Sequence, residues 1–156
     1  MRRSVNSFDV FDTLIARRSV EPQRVLQKLE ACAALPGLAA SRLAADRRLG
    51  KQARPYGLGD IWQEVARTLG LDDATVAWLH DLELELEHEE VLPITENLGH
   101  VRDGDPLVSD TYLPTDVVHS LTCCAGLQRQ VGWWSATTAR AAAEWVWGIL
   151  VFMASR

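Results

Sequence analysis

Two short apolar runs, each closed by a carboxylate beside a hydroxyl, lie about 100 positions apart, and the segment between them is mostly helical in pattern. The first is Ser7-Phe8-Asp9-Val10-Phe11-Asp12-Thr13-Leu14-Ile15; the second is Pro106-Leu107-Val108-Ser109-Asp110-Thr111-Tyr112-Leu113-Pro114. Apolar runs of this length, bounded by turn residues, read as strands. In an open α/β sheet, ligands bind just beyond the carboxyl ends of the strands, which places Asp9 where it could react. A carboxylate there can serve as a covalent nucleophile. The structural alternative is an Asx-type turn in which Asp9 or Asp12 caps the next backbone amides.

Between the two runs the periodicity predicts four helices. The first spans 21–35, with Pro22 in its first turn and Val25, Leu26, Leu29 and Ala33 on one face. Pro36-Gly37 ends it. The second spans about 38–53 and carries Arg47, Lys51 and Arg54 on one side, read as a solvated face. The third spans 59–69, with Ile61, Trp62, Val65 and Leu69 inward and Gly70 closing it. A fourth, capped by Asp72 or Asp73, runs to about Val91. Its alternating stretch from Asp81 to Glu87 also fits a strand, but no β-branched residue lies between Trp78 and Glu90. Val76, Leu79, Leu82 and Leu86 form the expected inward stripe, with the acids on a solvated face. After Ser109 a helix is expected from Pro114 to Gly126, with Val117, Val118, Leu121 and Cys124 inward. A strand is expected at 130–134, giving about three parallel strands with those near Val5 and Val108.

The net charge of −5 argues against nucleic acid as the main partner. Cys32, Cys123 and Cys124 do not all pair within one chain, and they read as reduced, buried thiols of a cytoplasmic protein. The longest apolar tract, Trp145 to Ala154, is about half the length that spans a bilayer. His80, His88, His100 and His119 show no metal-type pairing.

SFDVFDTL resembles the first motif of the haloacid dehalogenase-like (HAD) hydrolase superfamily, and LVSD its second. The pairing of SFDVFDTL with VSDTYLP is similar to a bacterial branch of that superfamily, some members of which are linked to sugar-transfer enzymes. The likeness covers roughly residues 4 to 126. It implies a Rossmann-like parallel sheet, here incomplete, made from residues 1–18 and 101–156, with an α-helical cap inserted at 19–100. It further implies hydrolysis of a small phosphorylated metabolite through an aspartyl-phosphate on Asp9. Mg²⁺ would be held by Asp9 and the backbone carbonyl of Phe11, with Thr13 and Ser109 contacting the phosphoryl oxygens. Asp110 is either an active-site group or the cap of the next turn.

Several residues depart from the family pattern. Phe11 stands where the second Asp, the general acid, is usual, and Asp12 stands where a Gly is usual, so Asp12 is the candidate for proton transfer. Losing a general acid costs about 10² to 10⁴ in rate. The lysine and acidic motifs expected downstream do not occur: the lysines are Lys28 and Lys51, and after Asp116 the sole acid is Glu144. Arg140 lies roughly where the lysine would fall, but guanidinium replaces a compact ammonium poorly. Turnover is therefore expected to be impaired. Four of the six tryptophans fall in the last 24 residues while charge nearly vanishes. A truncated gene, or a reading frame altered after about Ser120, would produce that shift. Three alternatives follow: a phosphate-binding remnant without catalysis, a helical module associating through the Trp-rich tail, and a dehalogenase. Membership of the family requires Asp9 and Ser109 to face a common cleft.

Overall fold

The computed structural model describes residues 6–19, 21, 23–52 and 54–135. Expectations resting on Val5, Pro22, Ala53, Arg140, Glu144 and the Trp145–Ala154 tract lie outside them. The chain is mixed α/β and divides into two units. One comprises Met1–Ala16 with Leu92–Arg156, the other Arg17–Val91. The boundaries expected at 18/19 and 100/101 thus fall at 16/17 and 91/92.

In the first unit, β1 (Phe8–Asp9), β4 (Pro106–Ser109) and β5 (Gly132–Ser135) form a parallel sheet in the order β1-β4-β5. The register pairs Phe8 with Leu107 and Asp9 with Val108, and on the other side pairs Ser109 with Ser135. Helix α6 (Thr115–Cys124) follows β4 and packs on β5. Val10, Leu14, Leu107, Leu113, Val118 and Leu121 are buried, so the residues flanking both motifs are the core of this unit. Two short strands, β2 (Ile15–Arg17) and β3 (Val91–Pro93), pair with each other and carry the two chain crossings. The four-residue helix α5 (Thr95–Leu98) follows β3. Neither strand nor α5 was legible in the sequence, because three or four residues are too few to show a period.

The second unit is four helices: α1 (Gln23–Ala33), α2 (Leu38–Gly50), α3 (Leu58–Leu69) and α4 (Asp73–Glu90). α1 packs on α2 and α4, and α3 packs on the same two. The helix ends follow the expected chemistry. Asp72 caps α4 by accepting from the Thr75 N–H at 2.8 Å. Gly70 closes α3 at φ 68°, a conformation that favours a residue without a Cβ. Val25, Leu26, Leu29, Ile61, Trp62 and Val65 are buried as the periodicity predicts.

Three expectations are corrected. On α4 the inward row is Leu79, Glu83, Leu86, Glu87 and Glu90, while Val76 and Leu82 are half-buried; Asp81, Glu85 and Glu89 keep the solvated positions. Each buried acid has a cationic partner. Glu83 takes two hydrogen bonds from Arg42, Glu87 two from Arg17, and Glu90 pairs with Lys28 and with Ser19. Buried charge is tolerated when paired in this way. Second, Cys32, Cys123 and Cys124 are exposed rather than buried. Third, Thr122 rather than Cys124 lies on the inner face of α6, and its hydroxyl is satisfied by the Val118 and His119 carbonyls.

Candidate functional site

The turn after β1 is knitted from its own backbone. The Leu14 and Ile15 N–H groups both donate to the Val10 carbonyl, at 2.8 and 3.1 Å, and the Asp12 N–H donates to the Ile15 carbonyl at 2.7 Å. Closing the chain this tightly requires a left-handed residue, and Asp12 fills that position at φ 59°. Asp is one of the few residues besides Gly that visit this region at modest cost. That is the structural reason an Asp is accommodated where the resemblance leads one to expect Gly.

A second segment of the same unit holds the turn. Asn97 donates its side-chain amide to the Thr13 carbonyl at 2.7 Å, and the Ile94 N–H donates to the Leu14 carbonyl at 2.9 Å. Sequence reasoning missed Asn97, which lies 84 positions from its partner with no motif around it. Asp105 was missed as well. Buried at the entry to β4, it accepts from the Asn6 and Arg102 N–H groups and so ties the start of β4 to the residues preceding β1. The sequence carried no signal for it beyond its position before Pro106.

Asp9 is the last residue of β1 and is exposed; Ser109 is the last residue of β4 and is 2% exposed. The two strand ends are adjacent and parallel, locked by the Val10 N–H donating to the Val108 carbonyl at 3.1 Å. The strand register sets the two side chains on opposite faces of the sheet at its carboxyl end. Residues paired in a parallel ladder project to the same side, and successive residues to opposite sides. Asp9 therefore shares its face with Val108, while Ser109 belongs to the face of Leu107 and Phe8. Phe11 and Thr13 are half-buried, and Asp12 and Asp110 are exposed.

The Ser109 hydroxyl is buried and has no hydrogen-bond partner among the described residues, and neither has the buried Thr115 hydroxyl at the first turn of α6. Leaving a buried polar group unsatisfied costs about 1–3 kcal/mol. Such groups call for an explanation, of which a ligand is one. α6 starts six residues after Ser109 behind Pro114, which offers no side-chain cap. Its first N–H groups carry the partial positive charge of a helix N-terminus.

The Asp9 carboxylate ends β1, those of Asp12 and Asp110 belong to the segments just after β1 and β4, and both lysines are remote in sequence. An anion arriving here would need a cation to offset them. Among the described residues, no three His, Cys, Asp or Glu side chains gather closely enough to hold a metal ion. Asp9 and the Phe11 carbonyl, the Mg²⁺ ligands that the resemblance implies, would not complete a site with the other described residues. No helix among the described residues is long and apolar enough to cross a membrane. The chain matches no known family model and no curated protein.

Proposed function

We propose that the first unit is a Rossmann-like, HAD-type domain that receives the phosphoryl group of a small metabolite at the carboxyl ends of β1 and β4. The observation that carries this reading is the parallel pairing of those two strands, which sets the ends bearing Asp9 and Ser109 side by side. A ligand seated beyond the ends of a sheet straddles its mid-plane, so groups from both faces reach it. In this arrangement Asp9 attacks phosphorus from one face as the bond to the leaving oxygen breaks. The Ser109 hydroxyl and the α6 N-terminus meet the phosphoryl oxygens from the other. Asp12 supplies the proton to the leaving group, and water then cleaves the aspartyl-phosphate. Mg²⁺ is the cofactor that goes with the reading, and Asp9 and the Phe11 carbonyl are the residues that would hold it. Three unpaired thiols fit a reducing, cytoplasmic setting.

The second reading is a phosphate-binding domain without turnover. It is favoured by the opposite faces of Asp9 and Ser109 and by the absence of any lysine after Ser109 within these 156 residues. One experiment separates the two. Purified protein is incubated with Mg²⁺ and a reactive acyl phosphate, and the adduct is mapped by mass spectrometry in wild type, Asp9→Asn and Ser109→Ala. A phosphoryl adduct that vanishes in Asp9→Asn supports the hydrolase. Thermal stabilisation by inorganic phosphate that vanishes in Ser109→Ala, with no adduct, supports binding alone. Neither signal would exclude both.

A further inference from the structure

Strand register and helix phase bring the two unpartnered hydroxyls of the first unit, those of Ser109 and Thr115, into one layer. Leu107 pairs with Trp133, and Ser109 stands two residues beyond Leu107, so all three share a face of the sheet. α6 covers that face, because His119 meets the Trp133 ring edge-on with centroids 5.2 Å apart. Thr115 precedes the buried Val118 and Thr122 by three and seven residues, so it belongs to the row that α6 turns towards the sheet. Residues 110–114 alone separate β4 from α6, and the helix therefore begins at the carboxyl end of the sheet, where Ser109 stands. Ser109, 2% exposed, projects to the side of the sheet on which α6 starts.

We propose that the Thr115 hydroxyl is a second donor to the anion that Ser109 receives, a binding residue outside both sequence motifs; this rests on the phosphoryl reading of Ser109. A hydroxyl buried without an acceptor disfavours the empty fold, and one ligand carrying several acceptor oxygens on a single centre relieves both. A phosphoryl group has three such oxygens. The start of α6 adds to the grip. The Val118 N–H donates to the Pro114 carbonyl at 3.1 Å, and the N–H groups before it are those a helix leaves without an intrahelical acceptor. Pro114 supplies no capping side chain, so they remain available to an anion. Asp116, the next residue, is exposed and about 100° round the helix from Thr115. Hydroxyls, amides and a helix dipole need no lysine to hold an anion, and none follows Ser109 in these 156 residues.

Full-length protein is titrated calorimetrically with inorganic phosphate in wild type, Ser109→Ala, Thr115→Val and Thr115→Ser, and the ligand-free Tm of each is recorded. Thr115→Val keeps the shape of the side chain and removes its hydroxyl. It should weaken phosphate binding about tenfold, the worth of one hydrogen bond to a charged group. Its ligand-free Tm should be unchanged or higher, since an unsatisfied hydroxyl has gone. Thr115→Ser keeps the donor and should bind within about threefold of wild type. If Thr115→Val binds phosphate as wild type does while Ser109→Ala does not, the role of Thr115 is overturned and the phosphoryl reading stands. An equal loss in Thr115→Ser and Thr115→Val also overturns it, by assigning the effect to packing. Wild type that takes up no phosphate, or Ser109→Ala with unchanged affinity, overturns both together.

Discussion

Removing one partner of the Arg42–Glu83 pair tests whether the helical unit is built around buried charge. The side chains are 1% and 0% exposed and are joined by two hydrogen bonds of 3.2 and 2.8 Å. At the shorter distance, with an effective dielectric constant of about 20, the Coulomb attraction is about 6 kcal/mol. Desolvating two ions costs several kcal/mol each, so the pair as a whole contributes little net stability. The singles behave differently. Arg42→Met strands the Glu83 carboxylate and Glu83→Leu strands the guanidinium, and each should cost about 3–5 kcal/mol. The double variant Arg42→Met/Glu83→Leu replaces both charges by apolar groups. It should return to within about 1 kcal/mol of wild type or exceed it. Denaturant unfolding followed by far-ultraviolet circular dichroism measures all four proteins and closes the double-mutant cycle. Singles costing below about 1 kcal/mol, the range of a solvated surface pair, would refute the argument.

Two further outcomes follow from single residues. The Lys28 ammonium and the Ser19 hydroxyl beside Glu90 hold its carboxyl down from the ordinary 4.5 to about 2. A depressed carboxylate stabilises the fold above its unfolded value, and that contribution is lost as the pH falls from about 4.5 towards 2. Glu90→Gln should cost about 1–3 kcal/mol at neutral pH and flatten this acid limb, as read from denaturation midpoints at pH 7 and pH 3; an unchanged acid limb would count against the pairing. At Asp12, φ 59° predicts that Asp12→Gly is tolerated and Asp12→Val costs about 1–2 kcal/mol or more in thermal unfolding. If Asp12 also donates the proton, the folded Asp12→Gly protein should lose about 10² to 10⁴ in phosphatase rate, and an unaltered rate removes that role.

The helices were legible because their signals are local. Asp72 before Thr75, Gly70 after Leu69 and the spacing of Ile61, Trp62 and Val65 need nothing beyond one helical turn to act. The strand ends were legible for the same reason: a short apolar run closed by Asp9 or Ser109 marks its own boundary. The interior of α4 was not legible. Its alternating leucines and glutamates leave open which acids turn inward, and the cations that decide it, Arg42, Lys28 and Arg17, lie 41, 62 and 70 positions away. Cys123 illustrates the same limit, since its exposure depends on which face of α6 meets the sheet.

By itself, then, the order of residues determined the types of the longer helices, most of their ends, and the residues that close β1 and β4, because backbone geometry and turn chemistry act over a few positions. The tertiary structure alone decided that Glu83, Glu87 and Glu90 are buried against cations and that Asn97 anchors the turn at Thr13. It alone decided, too, that Asp9 and Ser109 end neighbouring strands on opposite faces. Strand register and long-range pairing are fixed by which surfaces exclude water together, and a chain displays that only once it has folded.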